Sequence, residues 1–125
     1  MANYKLASID LSAARSELHD LLGLTGAEIS CNTLPAGVSV PFVHAHKQNE
    51  EVYLVLEGAG TLYVDGVETP LKAGDCFRID PAAERCIRAA ADSAIRFICV
   101  QVKAGSLGGF TMNDATLSDK KPSWL

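Results

Sequence analysis

The fold class this sequence predicts is all-β, a barrel, sandwich or jelly roll, and three observations predict it. From residue 27 onward, short β-like runs succeed one another, broken by turn residues at intervals of about eight to twelve positions. Asp65-Gly66 stands between two such runs, where a two-residue type I′ turn requires positive φ at both central positions. Apolar residues make up 48% of the 125 and charged residues 21%, a balance that excludes wholesale disorder and suits one soluble core.

The first element is expected to be a short helix. Asp10 or Ser12 can cap it, Ala13–Leu22 carries leucines near helical spacing, and Gly23 is a plausible stop. The candidate strands are Ala27–Leu34, Val40–Ala45, Glu51–Leu56, Gly60–Val64, Val67–Leu71, Asp75–Asp80, Cys86–Ala90 and Ile95–Val102. Pro35–Gly37, Glu57–Gly60, Asp65-Gly66, Ala73-Gly74 and Pro81–Glu84 supply the turn chemistry between them. Val52–Leu56 is apolar on both alternating faces, so one side is expected to face the interior and the other a covering element. A chain of this length fits one domain over residues 1–125, with a barrel core at about 27–102. Residues 106–125 lose periodicity and read as a surface tail, with Trp124 either anchoring it or exposed.

The totals also narrow the partners. Net charge is −4 and the eleven basic residues are scattered, which argues against nucleic acid. No stretch approaches the ~20 apolar residues that span a bilayer, and Met1–Asp10 lacks the apolar run of a secretory leader. A cytoplasmic location is the default, and there Cys31, Cys76, Cys86 and Cys99 are expected to be thiols, three of them in the core.

The chemistry is concentrated in one segment. His44 and His46 are two apart in a strand candidate, so both imidazoles project from one face of a segment that is otherwise apolar. Glu51 follows the polar loop Lys47–Glu50, and a hairpin there can return its carboxylate to the rings. Two imidazoles and a carboxylate suit Fe(II), Mn(II), Ni(II) or Zn(II); two buried core histidines beside a solvated acidic pair fit the spacing equally well.

Gly37, His44-Ala45-His46, Glu51 and Gly58 resemble the first motif of the cupin superfamily, and Gly74-Asp75 through Pro81-Ala82-Ala83 resembles the second. The resemblance runs from Leu34 to about Val102, with the Asp65-Gly66 hairpin between the motifs. It implies a double-stranded β-helix, here with a short N-terminal helix, one divalent metal held by His44, His46 and Glu51, and often a homodimer. The chain departs from the pattern where the second motif ends in a histidine: Cys86 stands there. As a thiolate it can complete the ligand set; otherwise it is an unligated core thiol. A thiolate beside one carboxylate and two imidazoles would make the loaded centre neutral and weaken its pull on anions. That swap favours zinc, or nickel or iron with modest activity, and counts against a routine dioxygenase or decarboxylase.

Tyr53 shares the Glu51 face and can act as general acid or substrate donor, or simply pack with its hydroxyl satisfied. Arg88, in phase with Cys86, can bind a carboxylate or point outward. Phe42 and Phe77 are expected to line the pocket or core, and Gln48 and Asn49 to be loop residues. Two functions follow from the resemblance. One is a metal-dependent enzyme of oxygenase, isomerase or lyase type acting on a small polar or carboxylated metabolite. The other is a non-catalytic module for a small ligand or metal.

Overall fold

The structure, a computed structural model, describes residues 3–125. Met1 and Ala2, the start of the stretch read for a leader, lie outside the described residues. The strands in chain order are β1 (Arg15–Glu17), β2 (Glu28–Leu34), β3 (Asn49–Val64), β4 (Val67–Lys72), β5 (Cys76–Ile79), β6 (Arg85–Ala89) and β7 (Ile95–Lys103); one short helix, α1, covers His19–Leu22. All the ladders are antiparallel, and β3 belongs to two of the sheets they form. Its first half is flanked by β7 and β5 in the order β1-β2-β7-β3-β5, and its second half by β4 and β6. The two sheets thus share one strand and close over a common interior.

The Asp65-Gly66 hairpin forms as the residue types require, with φ of 47° and 88° at its two central positions. Glu57–Gly60 is not a turn. The chain runs straight through it as one 16-residue strand with a bulge between Val55 and Glu57. The glycines there serve close packing, since a Cβ on Gly58 would lie 1.8 Å from the Ala94 carbonyl oxygen and one on Gly60 2.2 Å from that of Arg88.

The expected helix over Ala13–Leu22 shrinks to α1. Arg15–Glu17 instead pairs with β2, so ladder hydrogen bonds override helical spacing. The Glu28 carboxylate accepts the amides of Leu18 and His19 and so caps α1 from ten and nine residues away. Val40–Ala45 is likewise not a regular strand. Pro41 cannot donate to a ladder, and only Ser39 and His44 make isolated antiparallel bridges, to Arg88 and Arg85.

The interior has a dry end and a polar end. Val55, Ala89 and Ile95 fill the first; Glu51 and Arg85, both buried, occupy the second. Of the four free cysteines only Cys99 is buried; Cys31 and Cys86 are half-buried and Cys76 is exposed, so the expectation of three core thiols does not hold. The tail from Ser106 lies on the surface with Trp124 82% exposed, which rules out an anchoring role within this chain. Among the described residues no helix is long and apolar enough to cross a membrane.

Candidate metal centre

His44 and Arg85 are cross-strand neighbours: each backbone amide donates to the other's carbonyl, at 3.1 and 2.9 Å. The His46 amide donates to Pro81 O at 2.8 Å, which seats the second imidazole over the turn before β6. The two rings meet edge to face with centroids 5.1 Å apart. Glu51 arrives from the other sheet, where it is paired with Gln101 of β7 and Ile79 of β5. The carboxylate therefore reaches the imidazoles across the interior, not around a local hairpin.

The outcome is a cluster in which one ligand atom each from His44, His46 and Glu51 lies within 4.8 Å of the others. His46 Nε2 is 3.4 Å from Glu51 Oε2. His46 Nε2 and His44 Nδ1 are both buried without a hydrogen-bond partner. Buried imidazole nitrogens lose free energy when left unsatisfied, and a bound cation would satisfy such atoms, so the donor set fits a divalent metal. Burial, the largest effect, holds the His44 imidazole below its ordinary value; the Glu51 charge opposes this and His46 and Arg85 add to it. A neutral imidazole is the form a metal needs.

Glu51 is held by three further groups. The Tyr53 hydroxyl donates to Oε1 at 3.4 Å, the Cys99 thiol donates to Oε2 at 3.2 Å, and Arg85 Nε lies 3.5 Å from Oε1. Burial pushes the Tyr53 hydroxyl well above the usual tyrosine range, and pushes the Cys99 thiol up to about 12 with the Glu51 charge assisting. Both are therefore protonated donors at neutral pH. Tyr53 stacks on Phe77 with centroids 4.9 Å apart, so this aromatic pair fixes the hydroxyl beside the carboxylate.

The structure does not bring Cys86 to the cluster, which corrects the expectation that it could complete the ligand set. Val64 and Leu62 point inward and pair with Arg85 and Ile87, so Cys86, opposite Tyr63, falls on the outer face. Its sulfur donates to Val40 O at 3.3 Å. Arg88 shares that outer face and is exposed, so it does not reach the interior either. Phe42 is more than half exposed and packs edge-on against His44 at 5.5 Å. Asn49 donates to the Gln101 side chain and stays out of the centre. Arg85, one position from Cys86, is absent from the sequence reading, and Cys99 enters it only as a thiol, with no place at the centre; alternation along β7 puts it opposite Tyr53.

A cavity of about 510 Å³ opens beside the centre; Glu51, His44, Tyr53 and Cys99 line it, and Arg15 from β1 stands on its wall. Arg15 Nη1 donates to Asn32 Oδ1 at 2.6 Å, and its Nε is engaged by Glu17. The cavity is large enough for a small metabolite, and its lining mixes apolar side chains with a few polar and charged ones.

Comparison with known proteins agrees with this architecture. The solved structure of a cupin protein from Bacteroides fragilis superposes with a TM-score of 0.91 and 56% identity, covering 94% of this chain and 99% of that one. A predicted oxalate decarboxylase from Thermotoga maritima superposes with a TM-score of 0.57 and 29% identity, over 60% of this chain and 64% of that one. An oxalate-binding protein from Thermotoga maritima is 33% identical over 67 residues, 54% of either chain; the match thus spans about half the length of this relative. The profile of the family described as "Cupin domain" matches residues 32–101, which include His44, His46, Glu51 and all of β3 through β6. On that match the chain belongs to the cupin family.

Proposed function

We propose that residues 1–125 form a single cupin domain in which His44, His46 and Glu51 hold one divalent metal ion, and that the ion binds a small carboxylated metabolite in the barrel for oxygenase, isomerase or lyase chemistry. The observation that carries this reading is the convergence of three ligand atoms within 4.8 Å with two imidazole nitrogens left unpartnered. Iron, manganese, nickel and zinc all suit two imidazoles and a carboxylate. With Cys86 outside the cluster and Cys99 protonated, sulfur gives no preference for zinc. The metal, when bound, supplies a Lewis acid that polarises the ligand's oxygens. The protein's own part is to orient Glu51 through Tyr53, Cys99 and Arg85, and to surround the ligand with a half-closed apolar cavity. The names of the Thermotoga maritima proteins make oxalate the first ligand to try.

Metal analysis of untagged protein should find one divalent ion per chain, and His44→Ala with His46→Ala should abolish it; equal metal in that double variant and the parent would remove the site. The second reading, a non-catalytic binding module, is favoured by the engagement of Tyr53 and Cys99, since both spend their protons on hydrogen bonds to Glu51. Oxalate binding without carbon dioxide release under aerobic and anaerobic conditions would select it for this ligand.

We also infer a homodimer in a reducing, cytoplasmic setting. Val52, Leu54 and Leu56 are about 40% exposed along the outer face of β3 (41%, 39% and 40%), beside half-buried Ile98 and Val100 of β7. No described element of the chain covers this apolar strip, and a second copy would. Light scattering should report twice 13.3 kDa, and Leu54→Glu should give a monomer; a monomeric parent would refute the inference.

A further inference from the structure

We propose that Arg85 makes the centre selective for anionic ligands: it stands on the inner face of β6 beside the metal ligands, and its fixed charge turns the loaded centre into a site for a small carboxylate. This rests on the metal-centre reading above.

Four observations support it. Arg85 is 1% exposed. It neighbours two of the ligands, His44 through the paired backbone amides and Glu51 through Nε at 3.5 Å from Oε1. The guanidinium makes one hydrogen bond, from Nη2 to Asp80 O at 2.8 Å, and its Nε and Nη1 are buried with no hydrogen-bond partner. Glu51 is the only carboxylate and Arg15 the only cation among the described residues that line the cavity, and the buried Arg85 acts on it from behind Glu51.

A guanidinium keeps its proton and offers no lone pair, so Arg85 adds a charge and no ligand. A divalent ion (+2) with Glu51 (−1) and Arg85 (+1) totals +2, one unit more positive than three imidazoles and a carboxylate would give. The thiolate expected from Cys86 would have made the centre neutral, so the one-residue difference in register reverses the conclusion about anions. In a cavity of low polarity this charge favours an incoming carboxylate and, by the same field, opposes the metal.

That opposition provides the test. Mn(II) is titrated calorimetrically into the metal-free full chain, then oxalate or its neutral diamide, oxamide, into the Mn(II)-loaded chain. Arg85→Met should bind Mn(II) roughly tenfold tighter and oxalate roughly tenfold weaker, since one buried charge at close range is worth that much. Oxamide affinity should move far less, and Arg85→Lys, which keeps the charge, should stay near the parent. Effects of opposite sign cannot come from a damaged fold, which weakens both. Arg85→Gln, which can keep the bond to Asp80 O, gives the same comparison if the Met variant does not fold. Mn(II) binding with oxalate affinity unchanged, or both affinities lost together, would overturn this proposal alone. No Mn(II) binding by the parent would overturn the metal-centre reading with it.

Discussion

Glu51→Gln removes one charge from the most buried ion pair in the structure and leaves its shape. The Glu51 and Arg85 side chains are 3% and 1% exposed, with a closest N–O approach of 3.5 Å. At an effective dielectric constant of about 20, unit charges at that distance attract by roughly 4–5 kcal/mol. Removing one partner also leaves the other ion buried, which typically costs about 3–5 kcal/mol. The glutamine amide keeps a dipole beside Arg85 and can still accept from Tyr53 and Cys99, so we expect a loss of about 3 kcal/mol in the metal-free protein. Arg85→Met should cost a similar amount, and the two together about 2 kcal/mol less than their sum, because the double variant leaves no isolated charge. Urea unfolding followed by far-ultraviolet circular dichroism, in the presence of a chelator, measures all four corners of the cycle. Tryptophan fluorescence is a poor substitute, because Trp124 is exposed in the tail. A Glu51→Gln cost below about 1 kcal/mol, or strict additivity in the double variant, would show that the pair is not coupled and would refute the reasoning.

Three further outcomes are expected. Cys86→Ser should leave metal affinity unchanged and cost less than about 1 kcal/mol, since a serine hydroxyl can also donate to Val40 O; a sulfur-to-cobalt charge-transfer band in the parent, lost in the variant, would contradict this. The His44 imidazole is held below its ordinary 6.5, so just under that pH the unfolded chain binds more protons than the folded one. Stability should therefore rise with pH across that window and level off above it, and urea midpoints for His44→Phe should show a shallower rise than the parent's. Gly58→Ala should cost at least about 2 kcal/mol, because φ is +82° and the added Cβ meets the Ala94 carbonyl oxygen, and thermal melting would show it.

Much of the fold was legible because its signals are local. Asp65-Gly66 sets positive φ at both turn positions by residue type, and alternation in β3 and β7 marks their inner faces without reference to distant neighbours. His44 and His46 were legible for the same reason: residues two apart in extended backbone share a face. Cys86 misled because the motif count ends on it, while the register of β6 is set by pairing with β3. Ile87-Arg88-Ala89 alternates apolar and charged as β6 does, but the run Ala89–Ala91 specifies register weakly, and following the alternation back places an arginine, Arg85, inside. Arg85 is also a residue type that rarely enters a core unpaired, so its burial has no local sequence signal. The overcalled helix has a similar cause. Leucine spacing around Ala13–Leu22 is compatible with helix, but β2 offers Arg15–Glu17 a ladder that only the tertiary fold reveals.

The bulge in β3 limits how this chain can change in length. Val55 and Leu62 both face the interior although seven positions separate them, an odd interval that simple alternation forbids. Leu56, skipped in the pairing with β7, supplies the missing step. Deleting one residue at the bulge leaves Val55 and Leu62 six apart, so regular alternation keeps both inside and the strand can absorb the loss by straightening. A one-residue deletion between Glu51 and Val55 has no bulge to consume, and there either Glu51 would leave the centre for the outer face or Val55 would leave the core. The Lys47–Gln48 crossing and the tail after Ser106 lie outside any such reading frame and can absorb insertions.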